Sequence, residues 1–186
     1  MANLEDYSGP LKKDLKLEDF SKEFLVKLAR EWQAEFLKFE DVVFNLVKEK
    51  LGQEEADKME VESFRRFAKI DVPRIAKLAN IQPKDVVDWV KISQLLLEGL
   101  FLQPSCSFDV INRDHVKVTI HKCIILDYFE KHDPSRIKPI CEGLEVPMFT
   151  EYGQVALPDF KAVCLKLPPR KSPDETPCVW EWVRSK

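Results

Sequence analysis

The sequence is poor in glycine, with five scattered through 186 residues, and poor in histidine, with three. Without clustered glycines it has neither a dinucleotide-binding fingerprint nor a loop to cradle phosphates, and no Gly-x-Ser-x-Gly elbow presents a serine nucleophile. Nucleotide cofactors are therefore not expected. A strong charge of either sign is also missing. Lys and Arg total 29 against 32 Asp and Glu, a net charge of −3, and bases are matched by acids along each helical stretch, which leaves no basic stripe for nucleic acid. Apolar runs are short, the longest lying near Leu95 to Leu97, far below the ~20 residues that a membrane helix needs. The opening Met1-Ala2-Asn3-Leu4-Glu5-Asp6 lacks the basic start and apolar core of a secretory leader, so the cytoplasm is the expected compartment and no membrane partner is expected. The five cysteines are odd in number and none is close to another in the chain, which argues against a disulfide framework and for reduced thiols.

What is present suits one well-developed core: 45% hydrophobic beside 33% charged residues, in a length that two full domains would strain. Residues 1–16 carry Gly9-Pro10 and alternating charges around Lys12, Lys13, Asp14 and Lys16 with no apolar period, and read as a flexible arm. Residues 17–186 read as a single α+β domain, a helical layer over 17–103 followed by a sheet with short helices over 104–186. From Leu17, the residues Phe20, Phe24, Leu28, Trp32, Phe36, Phe39, Val43, Leu46 and Val47 recur mainly every three or four positions up to Gly52, which predicts one long amphipathic helix stopped by that glycine. A second helix is expected from Glu54 through Phe64, Phe67 and Ile70, bent or broken at Pro73. A third opens at Pro83 and runs through Trp89, Ile92 and Leu96 to Leu102, where Pro104 closes it. This is the most apolar helix and the expected centre of the layer.

Past Pro104 the period changes to two. Val116, Val118 and Ile120 alternate with Lys117, Thr119 and His121, and with Ser107 to Ile111 and a turn at Asn112-Arg113-Asp114 they predict a β-hairpin. A short helix over Ile124 to Phe129 follows, and Asp133-Pro134 is expected to cap and start another through Ile137 and Cys141. Two tail strands, Phe160 to Leu167 and Cys178 to Val183, flank a loop holding Pro168, Pro169, Pro173 and Pro177. The fold class is thus α+β, with amino-terminal helices on a small antiparallel sheet.

Chemistry concentrates in the last third, where Cys123, Cys141, Cys164 and Cys178 punctuate strands and loops. Alternation puts Cys164 on one face with Phe160 and Ala162, and Cys178 with Trp180 and Trp182. It also puts His121 and Cys123 together, on the side opposite Val116, Val118 and Ile120. Three readings stay open. The thiols pack as small hydrophobes, for which Cys106 is the best case; or Cys123, Cys141, Cys164 and Cys178 with His121 hold a zinc or iron ion; or a reactive thiol works with a nearby carboxylate. Candidates for the last are Cys123 and Cys141, with His121 as base, Glu142 as proton acceptor and Asp127 as base or supporting partner. His115 and His132 read as solvated loop residues, and Trp32 and Trp89 as core or partner-facing aromatics.

Phe44 to Gly52, the cysteine series, Leu167-Pro168-Pro169 and the closing Cys178-Val179-Trp180-Glu181-Trp182 resemble a poorly characterised family of bacterial and archaeal cytosolic proteins related to L-2-amino-thiazoline-4-carboxylic acid hydrolase. The resemblance spans roughly residues 20–183. It departs at Glu40-Asp41, where relatives often show Asp-Gly, and at Ile124, where an Arg often follows the first cysteine. It implies a hydrolase acting on a small sulfur- or nitrogen-containing compound. The layout is also similar to small-molecule-binding domains named after vinyl reductase, which implies a binding module for a small molecule or metal without catalytic activity. A third expectation is a helical interaction protein, with a homodimer formed through the helices.

Overall fold

The computed structural model describes residues 3–97, 99 and 105–184. It is an α+β protein, as the change of period implies. Ser21 starts the first helix, α1 (Lys22–Leu51), by accepting the Phe24 N–H on its hydroxyl at 3.1 Å, which satisfies one of the four donors a helix leaves unpaired at its start. Ahead of it, Leu4 bridges to Phe20, its N–H donating to Asp19 O at 2.8 Å, and Tyr7 meets the Phe20 ring edge-on. Gly52, at φ 90°, turns the chain between α1 and α2 (Gln53–Leu78), in a conformation that a side chain would oppose.

Helix α2 runs without interruption through Pro73, so the expected break does not occur. The lost backbone donor costs about 3 kcal/mol. Against it, the same stretch buries Ala68, Val72 and Ala76, whose transfer from water favours a continuous helix. Helix α3 is shorter than expected. It spans Val86–Ser93, capped by Asp85 rather than opened by Pro83, with the Asp88 N–H donating to Asp85 Oδ1 at 3.0 Å. The expected continuation to Leu102 lies largely outside the described residues. As expected, α3 is central, burying Val86, Trp89, Val90 and Ile92.

Strands β1 (Cys106–Asn112) and β2 (His115–Ile120) form the hairpin, and β3 (Phe160–Lys166) and β4 (Cys178–Arg184) complete an antiparallel sheet of order β1-β2-β4-β3. Val118 lies opposite Trp180, and Val116 opposite Trp182. The inner face therefore carries Val116, Val118, Ile120, Trp180 and Trp182, all buried, while Lys117 and Thr119 alternate away from it. Between the hairpin and β3 come α4 (Ile124–His132), a 3₁₀ turn (Pro134–Arg136), a π-helical turn (Pro139–Leu144) and α5 (Glu145–Ala156). The helix expected from Pro134 through Cys141 is thus two tight turns of different pitch. Helix α5 has no counterpart in the sequence-based expectation, because Pro147 and Gly153 obscure its period.

Helices α3 and α5 cover the inner face of the sheet, α2 packs behind them, and α1 packs along α2. Arg65 ties α2 to α5 by two parallel hydrogen bonds to Glu151, at 2.6 and 2.8 Å. The tightest approach is at Gly153 on α5, where an added Cβ would stand 2.1 Å from a carbon of the buried Phe160 ring. Because that ring is held by Trp89 and Trp182, Gly153→Ala should destabilise the fold by about 1–3 kcal/mol. Chemical denaturation measures this, and an unchanged midpoint would contradict the close approach. No helix among the described residues is long and apolar enough to cross a membrane.

Candidate functional site

The cysteines divide into a central group and outliers. Strand β2 ends at Ile120, so alternation does not carry through to His121 and Cys123, and the expected shared side of those two residues is not formed. Cys123 instead caps α4, its sulfur accepting the Leu126 N–H at 3.4 Å, and packs against the same core as β2. His121 turns toward β1, with Nε2 and Ser107 Oγ 2.8 Å apart. Cys178 opens β4 opposite Ile120, buried. Cys141 sits in the π-helical turn, a form of helix that often marks functional positions.

Cys123, Cys141 and Cys178 come from three separate elements and feel one another electrostatically, and the Glu145 carboxylate acts on all of them. Burial is the first cause that raises each thiol pKa, and the neighbouring anion pushes the same way. Cys141 and Cys178 are each raised from 9.0 to about 12. Cys123 is also raised, and its backbone hydrogen bond from Leu126 opposes the shift. Near Cys178 the Trp180 side chain opposes it too. The indole N–H of Trp180 nonetheless finds no partner at hydrogen-bonding geometry, so that contact is a weak one. At neutral pH the group is accordingly a set of protonated thiols. This is the opposite of an activated nucleophile, which needs a cation or a helix amino terminus to lower its pKa.

Cys164 lies at the edge of this group. It stands opposite Trp180 on β3, acts on Cys178, and points its sulfur at Lys166 O, 3.5 Å away, beside an irregularity in the strand. Cys106 is half-buried on β1, its pKa raised by burial alone. Glu142 acts on Cys141 from the next position in the chain. Its side chain lines an open groove of about 760 Å³ between α2 and the π-helical turn, with Arg65, Lys138 and Glu60. Sequence reasoning missed Glu145. The signal was its spacing of four from Cys141, which places the two on one helix face. Among the described residues no three His, Cys, Asp or Glu side chains form a ready metal-ligand group, so Cys123, Cys141, Cys164, Cys178 and His121 are not brought together as one ligand set.

Asp127, a candidate base from sequence, is occupied otherwise. Arg170 from the proline-rich loop inserts between Asp127 and Glu130 of α4, its Nε donating to Glu130 at 2.9 and 3.1 Å and its Nη1 to Pro173 O at 2.9 Å. These charge-assisted bonds anchor the loop to the helix that carries Cys123. His115 belongs to β2 rather than a loop, 3.5 Å from Glu181, and His132 ends α4 against the Tyr128 ring.

Fold and site together define an α+β protein with a partly buried group of thiols contributed by its sheet and its short helices. The chain belongs to the Family of unknown function (DUF6125), whose match covers residues 17–184. No curated protein and no solved structure matches it.

Proposed function

We propose that this protein is a binding module for a thiophilic ligand, held by Cys123, Cys141 and Cys178 with Glu145 beside them. Among the described residues these groups do not stand at metal-ligand spacing, so the ligand must draw them together; a soft metal ion such as zinc or iron, or a small compound that reacts with thiols, has the chemistry for it. The observation that carries the reading is that thiols from α4, the π-helical turn and β4 all lie within electrostatic reach of one carboxylate, Glu145. Because the thiols are protonated, ligation must expel their protons and draw the sulfurs inward, so affinity should rise steeply with pH. A cytoplasmic setting goes with this reading, since all five cysteines are free thiols.

Cadmium serves as a reporter, because thiolate ligation gives it an ultraviolet charge-transfer band. Equimolar Cd²⁺ should produce that band in the wild-type protein, and Zn²⁺ should abolish it by competition. Cys123→Ser, Cys141→Ser and Cys178→Ser should each weaken binding by about 10- to 100-fold, whereas Cys106→Ser and His121→Ala should leave it unchanged. A band of equal strength in the Cys123/Cys141/Cys178 triple serine variant would rule the site out.

A hydrolase of a small sulfur- or nitrogen-containing compound is the second reading. It is supported by Glu145, a carboxylate within electrostatic reach of Cys123 and Cys141 that can accept a thiol proton. Turnover of a demonstrated substrate that survives both Cys123→Ser and Cys141→Ser would exclude it.

A further inference from the structure

The geometry points to α1 as a self-complementary interface on which a second copy of this chain docks, helix against helix and antiparallel. Helix α1 carries two apolar stripes. Gln33, Leu37 and Phe44 lie on the stripe turned toward the rest of the fold, where Gln33 Nε2 donates to Leu97 O at 2.6 Å. The second stripe lies roughly a quarter to a third of a turn around the helix. On it Leu25, Trp32, Phe39 and Leu46 recur every seven residues, with Leu28, Phe36 and Val43 between them. A seven-residue apolar repeat sustained over three intervals is the pattern of a helix that packs on another helix. Among the described residues the element packed along α1 is α2; Phe36, at the edge of the second stripe, stacks on Phe67 of α2 with ring centres 6.3 Å apart, while Trp32, Phe39, Val43 and Leu46 face outward.

Its extent approaches what a dimer needs. Trp32, Phe36, Phe39, Val42, Val43 and Leu46 are each 36 to 65% exposed. Large aromatics carry ~150–250 Å² each, so these six present on the order of 600 Å², at the top of the ~300–600 Å² of the largest apolar patch on an ordinary monomer and about three-quarters of the ~800 Å² per partner of a standard interface. The occupant follows from the spacing. Positions 25, 28, 32, 39, 43 and 46 are symmetric about the midpoint between Glu35 and Phe36. A second α1 running the other way therefore sets Leu25 beside Leu46, Leu28 beside Val43 and Trp32 beside Phe39, at both ends alike. This is the self-match that a twofold interface requires.

Charge selects the antiparallel direction. Lys50 continues the stripe four residues past Leu46, so a parallel pair would set it against its own copy. The antiparallel pair instead places the two Lys50 side chains at opposite ends of the interface and opposes the two helix dipoles.

The test is the mass of the full chain in solution by sedimentation equilibrium. The wild-type protein should run at twice its 21.7 kDa down to micromolar concentration. Phe39→Lys and Trp32→Glu, both at exposed positions, should weaken association by about 100-fold while leaving the circular dichroism spectrum and thermal transition intact. Mixing the two variants should restore the dimer, because only the antiparallel register sets Glu at 32 beside Lys at 39. A monomeric wild-type protein, or a dimer that both variants retain, would overturn the interface. Dissociation without rescue on mixing would overturn the antiparallel register.

Discussion

Replacing Arg136 with alanine should remove about 3–5 kcal/mol of folding stability, the loss expected when one partner of a buried ion pair is deleted. Arg136 is buried in the 3₁₀ turn after α4. Its guanidinium lies 3.5 Å from the centre of the Phe44 ring of α1 and 5.5 Å from that of Phe129 of α4, and it donates to Glu60 of α2 at 3.1 and 3.3 Å. One planar cation thus joins three helices, by stacking on two and by charge on the third. Truncation leaves the Glu60 carboxylate buried without its cation. Burial already raises the pKa of Glu60, and Arg136 opposes that shift. A carboxyl raised on folding contributes stability below its unfolded pKa and loses it as pH rises through the folded one. In the variant the shift grows, so the deficit should be largest at neutral pH and shrink on acidification. Guanidinium unfolding at two pH values measures this. The double variant Arg136→Met with Glu60→Gln should recover more than half of the loss, and a double variant as unstable as the single one would show that packing, not orphaned charge, sets the effect.

Between pH 9 and 12 the protein should lose on the order of 2–4 kcal/mol through Cys141 and Cys178 alone. In the unfolded chain these thiols ionise near 9.0, and in the folded protein near 12. Over that window the unfolded state holds fewer protons, so stability falls as pH rises, while below it both states are protonated and the thiols confer no pH dependence. Cys141 keeps part of its surface in water, which screens its share. Urea unfolding at pH 8, 9.5 and 10.5, as conditions on either side of the lower bound, should give a steep decline for the wild-type protein and a flatter one for Cys141→Ala with Cys178→Ala. Lysine and tyrosine titrations are common to both proteins and cancel in the comparison. Equal slopes would mean that the thiols are not buried as described.

Much of the fold is legible in the residues themselves. The seven-residue and three-to-four-residue spacings from Phe24 to Val47 define α1, Gly52 ends it, and the alternation from Val116 to Ile120 fixes both β2 and the face it buries. Less legible is whatever depends on a balance between local cost and tertiary gain. Pro73 reads as a break, yet the burial of Val72 and Ala76 keeps α2 whole. No helix is expected across Pro147 and Gly153, yet α5 forms there and the glycine lets it approach Phe160. The same limit applies to the site. The sequence points to Cys123, Cys141 and Cys178, but sulfurs separated by eighteen or more residues carry no sign of meeting. Carrying the strand alternation past Ile120 pairs Cys123 with His121, whereas the chain has by then turned into the cap of α4. Glu145 escapes because the period that would place it one turn beyond Cys141 passes through a π-helical turn.

The order of the strands bears on how the protein comes off the ribosome. Strand β4, the last of the four in chain order, is the one that lies between β2 and β3. Until residues 178–184 emerge, the hairpin has an open inner edge and β3 has no strand beside it, while Trp180 and Trp182, which fill the gap beneath α3 and α5, are not yet available. From the emergence of the hairpin until residues 178–184 follow, the growing chain therefore carries a half-built sheet, with Val116, Val118 and Ile120 on an unfinished surface and an open strand edge on which another chain can pair.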